Sequence, residues 1–236
     1  MRDGGNFATR LSARDLAELL KRGRPVEYQP DDHLMRQGEE GDCVIVVRTG
    51  VVKIMSTDYV GGVRLLAVRG PGELLGEVAC IDEGTRSASV IARERVSGVK
   101  IARRRFLEYL DEHPGAAREV TRQVALRLRS AENHTMAMTS ESVDVRVLQS
   151  LADMIVFFVE DSVPQHVEVP LRQCELAQLA AASLVATHRS LRRLRDRNLV
   201  TTRYGRVHVP CAGCLRRAID SKSITGCGGS TKCVSG

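Results

Sequence analysis

A chain of 236 residues, 43% hydrophobic and 27% charged, has material for two modest cores and is too apolar for a disordered protein. No apolar run reaches the length of a membrane span and the opening MRDGGNFATR lacks a hydrophobic leader, so a cytoplasmic location without membrane contact is expected. The formal charge is +6, and residues 183 to 206 hold seven arginines against one acid, which equals the whole excess and marks a candidate contact with a polyanion.

In chain order, LSARDLAELLKRG has helical spacing, with Ser12 placed to cap it and Gly23 to stop it. From about 26 to 101 the pattern is β. CVIVV, VVKIM, VRLLAV, SASVIA and VSGVKIA are short Val- and Ile-rich runs separated by glycines, as antiparallel strands of a small sandwich or barrel require. Aromatics are only 3% and Trp is absent, so Val, Leu, Ile and Ala must build the core. RRRFLEYLDEHP then reads as a short helix ended by Pro114. A longer helix follows over 115–139, where Val120, Val124, Leu128, Ala131, Thr135 and Met138 recur at intervals of four and three. That stripe suits either a self-association seam or packing on the β domain.

Ser142 is placed to cap a further helix, VDVRVLQSLADMIVFF, and VEDSVPQHVEV reads as a loop and a short strand. RQCELAQLAAAS and LVATHRSLRRLRDRNL are two helices with a tight connection, and VTTRYGRVHV is a hairpin turning at Tyr204-Gly205. A helix, a turn, a second helix and a basic hairpin make a winged DNA-binding arrangement. Residues 211–236 read as a flexible tail.

Seven cysteines, an odd number, argue against a disulfide framework. Cys43, Cys80 and Cys174 sit in apolar patterns and are expected as buried thiols, whereas Cys211, Cys214, Cys227 and Cys233 crowd the C-terminal end. The six histidines are dispersed, and no Ser-His, Cys-His or paired-carboxylate constellation points to an enzyme.

The most specific stretch is GEVACIDEGTRSA, residues 76–88. One acid, one arginine and small residues that leave backbone N–H groups accessible are what an anionic ligand carrying a hydroxyl needs. An ordinary surface Glu–Arg pair beside a turn is the alternative. With this stretch in its β context, the chain from about 11 to 209 resembles the cyclic-nucleotide-responsive bacterial transcription regulators of the catabolite activator (CRP/FNR) family.

The resemblance implies an α+β fold: an N-terminal cyclic-nucleotide-binding β-jelly-roll (1–114), a long dimerisation helix and hinge (115–140), and a C-terminal winged helix-turn-helix domain (141–210) before the tail. It implies that Gly76 lets the backbone approach the ligand, that Glu77 binds the ribose hydroxyl, and that Arg86 pairs with the cyclic phosphate beside Ser87 and Ala88. Arg127 would reach back towards Glu77. Where the family has a Thr-Ser pair contacting adenine, an ungapped reading places Ala131 and Glu132. Glu132 would favour guanine if it faced the ligand; otherwise it points to solvent and neighbouring Asn133 or Thr135 serves the base. Both Arg86→Leu and Glu77→Ala are expected to weaken binding and spare the fold.

For DNA, the resemblance implies contacts from Ser183, Leu184, Val185, Thr187, His188, Arg189, Arg192 and Arg193. Departures are plain. Leu184-Val185 replaces the common Arg-Glu, Ala181 stands at the turn glycine, and Arg172 stands at the capping threonine. The expected ligand is cyclic AMP or cyclic GMP, with no metal and no catalysis. The expected partners are double-stranded DNA and a second copy of the chain, with RNA polymerase as a further candidate. Two other readings stay open: a nucleotide-binding module whose C-terminal domain meets a protein, and a thiol or four-thiolate zinc sensor at Cys211, Cys214, Cys227 and Cys233.

Overall fold

A computed structural model of the protein describes residues 6–58, 61–155, 167–169, 171–203 and 205–221. The elements in chain order are α1 (Phe7–Arg10), α2 (Ala13–Lys21), β1 (Arg24–Tyr28), β2 (His33–Met35), β3 (Cys43–Thr49), β4 (Val52–Thr57), β5 (Val63–Arg69) and β6 (Leu74–Leu75). There follow α3 (Glu77–Ile81), β7 (Ser89–Ala92), β8 (Val96–Ala102), α4 (Arg103–Glu112), α5 (Pro114–Ser140) and α6 (Val143–Ile155). The last are β9 (Val167–Val169), α7 (Gln173–Leu179), α8 (Leu184–Asp196), β10 (Thr201–Arg203), β11 (Arg206–Val209) and α9 (Ala212–Asp220). The chain divides into two compact units, Met1–Glu132 and Asn133–Gly236, with α5 running from the first into the second.

The first unit is built on two antiparallel sheets, in the orders β1-β8-β3-β6 and β2-β7-β4-β5. The continuous apolar run of β3 has a physical reason. Cys43, Ile45 and Val47 join Leu34, Val52 and Val90 in one core cluster, while Val44 and Val46 join Leu19, Phe106 and Tyr109 in another. A strand covered on both faces has no polar side to alternate with. Ser12 caps α2, its hydroxyl accepting from Asp15 N–H at 3.0 Å. Pro114 opens α5 rather than only ending α4, because its fixed φ and missing N–H suit the first helical position.

The apolar residues of α5 do not share one environment. Val120 is buried in the β-unit core, but Leu126, Leu128, Met136 and Met138 are exposed.

The second unit packs α6, α7, α8 and α9 with a three-stranded sheet, β10-β11-β9. Residues 211–220, expected within the flexible tail, instead form an ordered turn and the helix α9. Ala212, Leu215 and Ala218 recur every three residues and, with Cys214, are buried on one face, which anchors the helix. Tyr204, residues 156–158 of the helix expected over 143–158, the expected loop at 159–166, and Cys227 and Cys233 lie outside the described residues. Cys174 is exposed rather than buried, because it faces away from the side of α7 that buries Leu176, Ala177 and Leu179. Among the described residues no helix is long and apolar enough to cross a membrane.

Candidate functional site: the residue 76–88 cassette and the helix-turn-helix

Gly76 is the turning point of the cassette. Its φ is 82°, and a Cβ there would lie 2.5 Å from Arg86 Nη1 and 2.7 Å from Met35 Cε, so both conformation and space demand glycine. Immediately after it, α3 begins with Glu77, which is 1% exposed. A carboxylate buried that deeply needs a cation. Arg127 on α5 supplies it: Nη1 donates to Glu77 Oε1, while Nη2 donates to Glu73 Oε2 at 3.1 Å and to Leu74 O at 2.8 Å. Gln123 Nε2 also donates to Glu73 Oε2, at 3.2 Å. The cassette glutamate is thereby tied to the long helix, as expected for Arg127.

Arg86 is buried too. Its Nη1 donates to Gly76 O at 2.9 Å and its Nη2 to Cys43 O at 2.7 Å and Asp42 Oδ1 at 3.1 Å. Its backbone is held by Glu39 O and Gly38 N–H. The guanidinium therefore braces β3 against the cassette as well as carrying charge, and it lines a concavity with Met35, Asp42, Cys43 and Lys100. Burial raises the Asp42 carboxyl, but its hydrogen bond with Cys43 and the charges of Lys100 and Arg86 outweigh that and hold it below the usual aspartate range. Burial, with Asp42 adding to it, pushes the Cys43 thiol up to about 11. Ser87 is exposed and Ala88 half-buried. Ala131 and Glu132 are exposed on α5. Asp42 and Glu73 were not foreseen, since neither belongs to the motif.

In the second unit Ser183 caps α8, its oxygen accepting from Ala186 N–H at 3.2 Å. Leu184, Val185, His188, Arg189 and Arg192 are exposed, and the last three line a groove with Gln173 and Arg195. Two of the residues expected at DNA have partners inside the unit. Thr187 is fully buried and its hydroxyl donates to Ser183 O at 3.0 Å, because residues 187, 190, 191 and 194 form the inward face of α8. Arg193 grips Asp144 of α6 with two bonds, Nε to Oδ2 at 2.8 Å and Nη2 to Oδ1 at 2.6 Å, so it fastens α8 to α6.

Residues 25–113 match the family described as Cyclic nucleotide-binding domain, and residues 145–218 match Crp-like helix-turn-helix domain. The chain is 30% identical over 197 residues to the Cyclic AMP receptor protein of Thermus thermophilus, covering 84% of this chain and 85% of that protein. The chain belongs to the CRP/FNR family of transcription regulators. Another member, the CRP-like cAMP-activated global transcriptional regulator of Mycobacterium tuberculosis, is 28% identical over 177 residues, covering 75% of this chain and 79% of that one. Among solved structures, the Thermus thermophilus Catabolite Activator Protein matches with a TM-score of 0.52 at 27% identity, over 92% of this chain and 99% of that one. The c-di-GMP responsive global regulator CLP of Xanthomonas campestris shares the fold, with a TM-score of 0.67 at 21% identity, over 84% and 99% of the two chains.

The CRP/FNR turn survives its departures by local means. Arg172 cannot accept a bond as a capping side chain would, but its N–H donates to Glu175 Oε2 at 2.8 Å, which keeps half of a capping box. Ala181 takes the left-handed conformation, φ 46°, where the customary residue is glycine. Arg146 of α6 holds that turn from below, donating from Nε to Ala180 O at 2.8 Å and from Nη2 to Ala181 O at 3.3 Å. Its Nη1 donates to Glu141 O at 2.9 Å, just past the end of α5. Ala181→Gly should relieve the strain and raise stability by about 0.5–1 kcal/mol, less than the full strain because glycine also loosens the unfolded chain. A urea midpoint unchanged or lowered by Ala181→Gly would show that the turn carries no strain.

Proposed function

We propose that the protein is a homodimeric regulator whose cassette binds a cyclic nucleotide and passes that event through α5 to the helix-turn-helix. The phosphate binds at Arg86, aided by Ser87 and the N–H groups around Gly76 and Ala88, and displaces Asp42 as the anionic partner. The ribose hydroxyl donates to Glu77, whose carboxylate has lone pairs beyond the one that Arg127 uses. The observation that carries this reading is the Arg127 bridge to Glu77 and Glu73, which joins to α5 the carboxylate proposed to bind the ribose. At the other end of α5, Arg146 joins Glu141 to the turn before the recognition helix. Ligand shifts the equilibrium only by the difference in its affinity for the two arrangements, so cassette and DNA affinities must be reciprocally coupled.

Leu128 and Met138, exposed members of the α5 stripe, belong to the seam with a second copy. Two DNA half-sites about one helical turn apart follow from a two-fold dimer. RNA polymerase is a proposed partner at the regulated promoter. Cyclic AMP is the proposed ligand, as the names of the relatives suggest, and Glu132, which is exposed in the single chain, is proposed to point away from the base. Accordingly, Glu132→Ser should leave the ratio of cyclic AMP to cyclic GMP affinity unchanged by calorimetric titration. A changed ratio would place Glu132 at the base.

The test of the whole reading is a gel shift of genomic fragments with and without cyclic AMP. Enhanced, fragment-selective binding is expected, and equal retention of all fragments in both conditions would overturn it in favour of a protein partner for the second unit. Within that assay the two neighbouring arginines of α8 should separate. Arg192→Ala should weaken binding to every sequence and lower the salt slope by about one, while Arg193→Ala should leave the slope close to that of the parent. Equal slopes for the two variants would remove the distinction drawn from the Asp144 pair.

A further inference from the structure

The wing strand is followed by a Cys-x-x-Cys spacing that neither nucleotide nor DNA binding uses. Cys211 leaves β11 through Pro210 and caps α9. Its backbone is extended, φ −148° and ψ 104°, and its sulfur accepts from Cys214 N–H at 3.2 Å. That bond sets the first sulfur beside the residue carrying the second, whose own Sγ is three covalent bonds from the donating nitrogen. Along the same helix, Arg217 Nη2 donates to Cys214 Sγ at 3.1 Å. That contact fixes the inner sulfur against its own helix. The two thiols also differ in access: Cys211 is half-buried and Cys214 is 6% exposed. An outer thiol meets a reagent first, and an inner one resolves the product.

We propose that Cys211 and Cys214 form a redox-active dithiol which a small-molecule disulfide oxidises to an intramolecular disulfide. In the first step the Cys211 thiolate attacks one sulfur of the reagent, forming a mixed disulfide and releasing one reagent thiol. In the second, the Cys214 thiolate attacks the Cys211 sulfur, the mixed bond breaks, and the second reagent thiol leaves. The two cysteines lose two electrons and two protons, and the reagent disulfide takes up both as two thiols. The new bond joins the exit of the wing to the first turn of α9, a helix packed on the same α6 that holds the recognition turn.

The experiment equilibrates the reduced full-length protein with oxidised glutathione, followed by alkylation and mass spectrometry. The expected result is an intact mass lower by two hydrogens, with Cys211 and Cys214 losing alkylation together and their peptide closed by a bond between them. Cys211→Ser keeps an oxygen cap for α9 and therefore the fold, but it should abolish the closed product. Cys214→Ser should instead trap one glutathione on Cys211. Cys227→Ser with Cys233→Ser should leave the closed product intact. The proposal is overturned if glutathione adducts persist on both cysteines of the parent, if both remain alkylatable, or if either pairs with a different cysteine. Retained zinc that protects all four C-terminal thiols would overturn it equally.

Discussion

Arg86→Leu is expected to weaken cyclic nucleotide binding by roughly 30-fold or more and to destabilise the first unit by about 2–4 kcal/mol. The first figure is the loss of a charge-assisted partner of a desolvated phosphate, about 2 kcal/mol. The second arises because the guanidinium is itself buried and donates to Gly76 O, Cys43 O and Asp42, so leucine leaves two carbonyls and a carboxylate without their donor. The motif alone predicts a loss of binding with the fold intact; the structure adds the loss of stability. Arg86→Lys separates the two effects. It keeps the charge and so recovers part of the stability, but it cannot reproduce several directed bonds at once and should bind nucleotide weakly. Calorimetric titration with cyclic AMP reads the first effect and urea unfolding the second. Parent-like affinity in Arg86→Leu would remove the phosphate from this residue.

The local build of the cassette was legible because glycine, acid and arginine lie within one short segment, where Gly76 turns at positive φ and Glu77 and Arg86 are buried. Arg127 was legible through the resemblance, and its contact with Glu77 is now explained by the need of a fully buried carboxylate for a cation. Asp42, Glu73 and Arg146 were not legible, since each acts across strands or helices far apart in sequence, and no local pattern separates them from solvated charges. The inward face of α8 was partly legible. Thr187, Ser190, Leu191 and Leu194 follow the helical interval, which assigns Thr187 to the core once the interval is given more weight than its place beside the arginines. For α9, the Gly- and Ser-rich composition beyond it hid a short apolar face at Ala212, Leu215 and Ala218.

Asp144→Asn is expected to lower stability by roughly 1–2 kcal/mol at neutral pH, and this difference should shrink as the solution is acidified. Asp144 is nearly buried, and Arg193 meets both of its oxygens in the bidentate geometry that makes carboxylate–guanidinium pairs strong. Arg193 is about half exposed, 49% by side chain, so solvent screening keeps the figure well below that of a fully buried pair. Burial raises the Asp144 carboxyl, but the hydrogen bonds with Arg193 and other neighbours outweigh it and hold the group below the usual aspartate range. A carboxyl lowered in the folded state favours folding fully above its unfolded pKa of about 4, and that contribution is lost as pH falls through the lower folded value. Asparagine does not titrate, so urea midpoints of parent and Asp144→Asn should differ at pH 7 and converge as pH falls through the lowered folded pKa. Arg193→Ala should reproduce the neutral-pH loss, and adding it to Asp144→Asn should cost little more, since both remove one interaction. A gap between parent and Asp144→Asn that stays constant across this range would mean that the pair holds α6 and α8 together by packing alone. In that case the ionised carboxylate would contribute nothing to the presentation of the recognition helix.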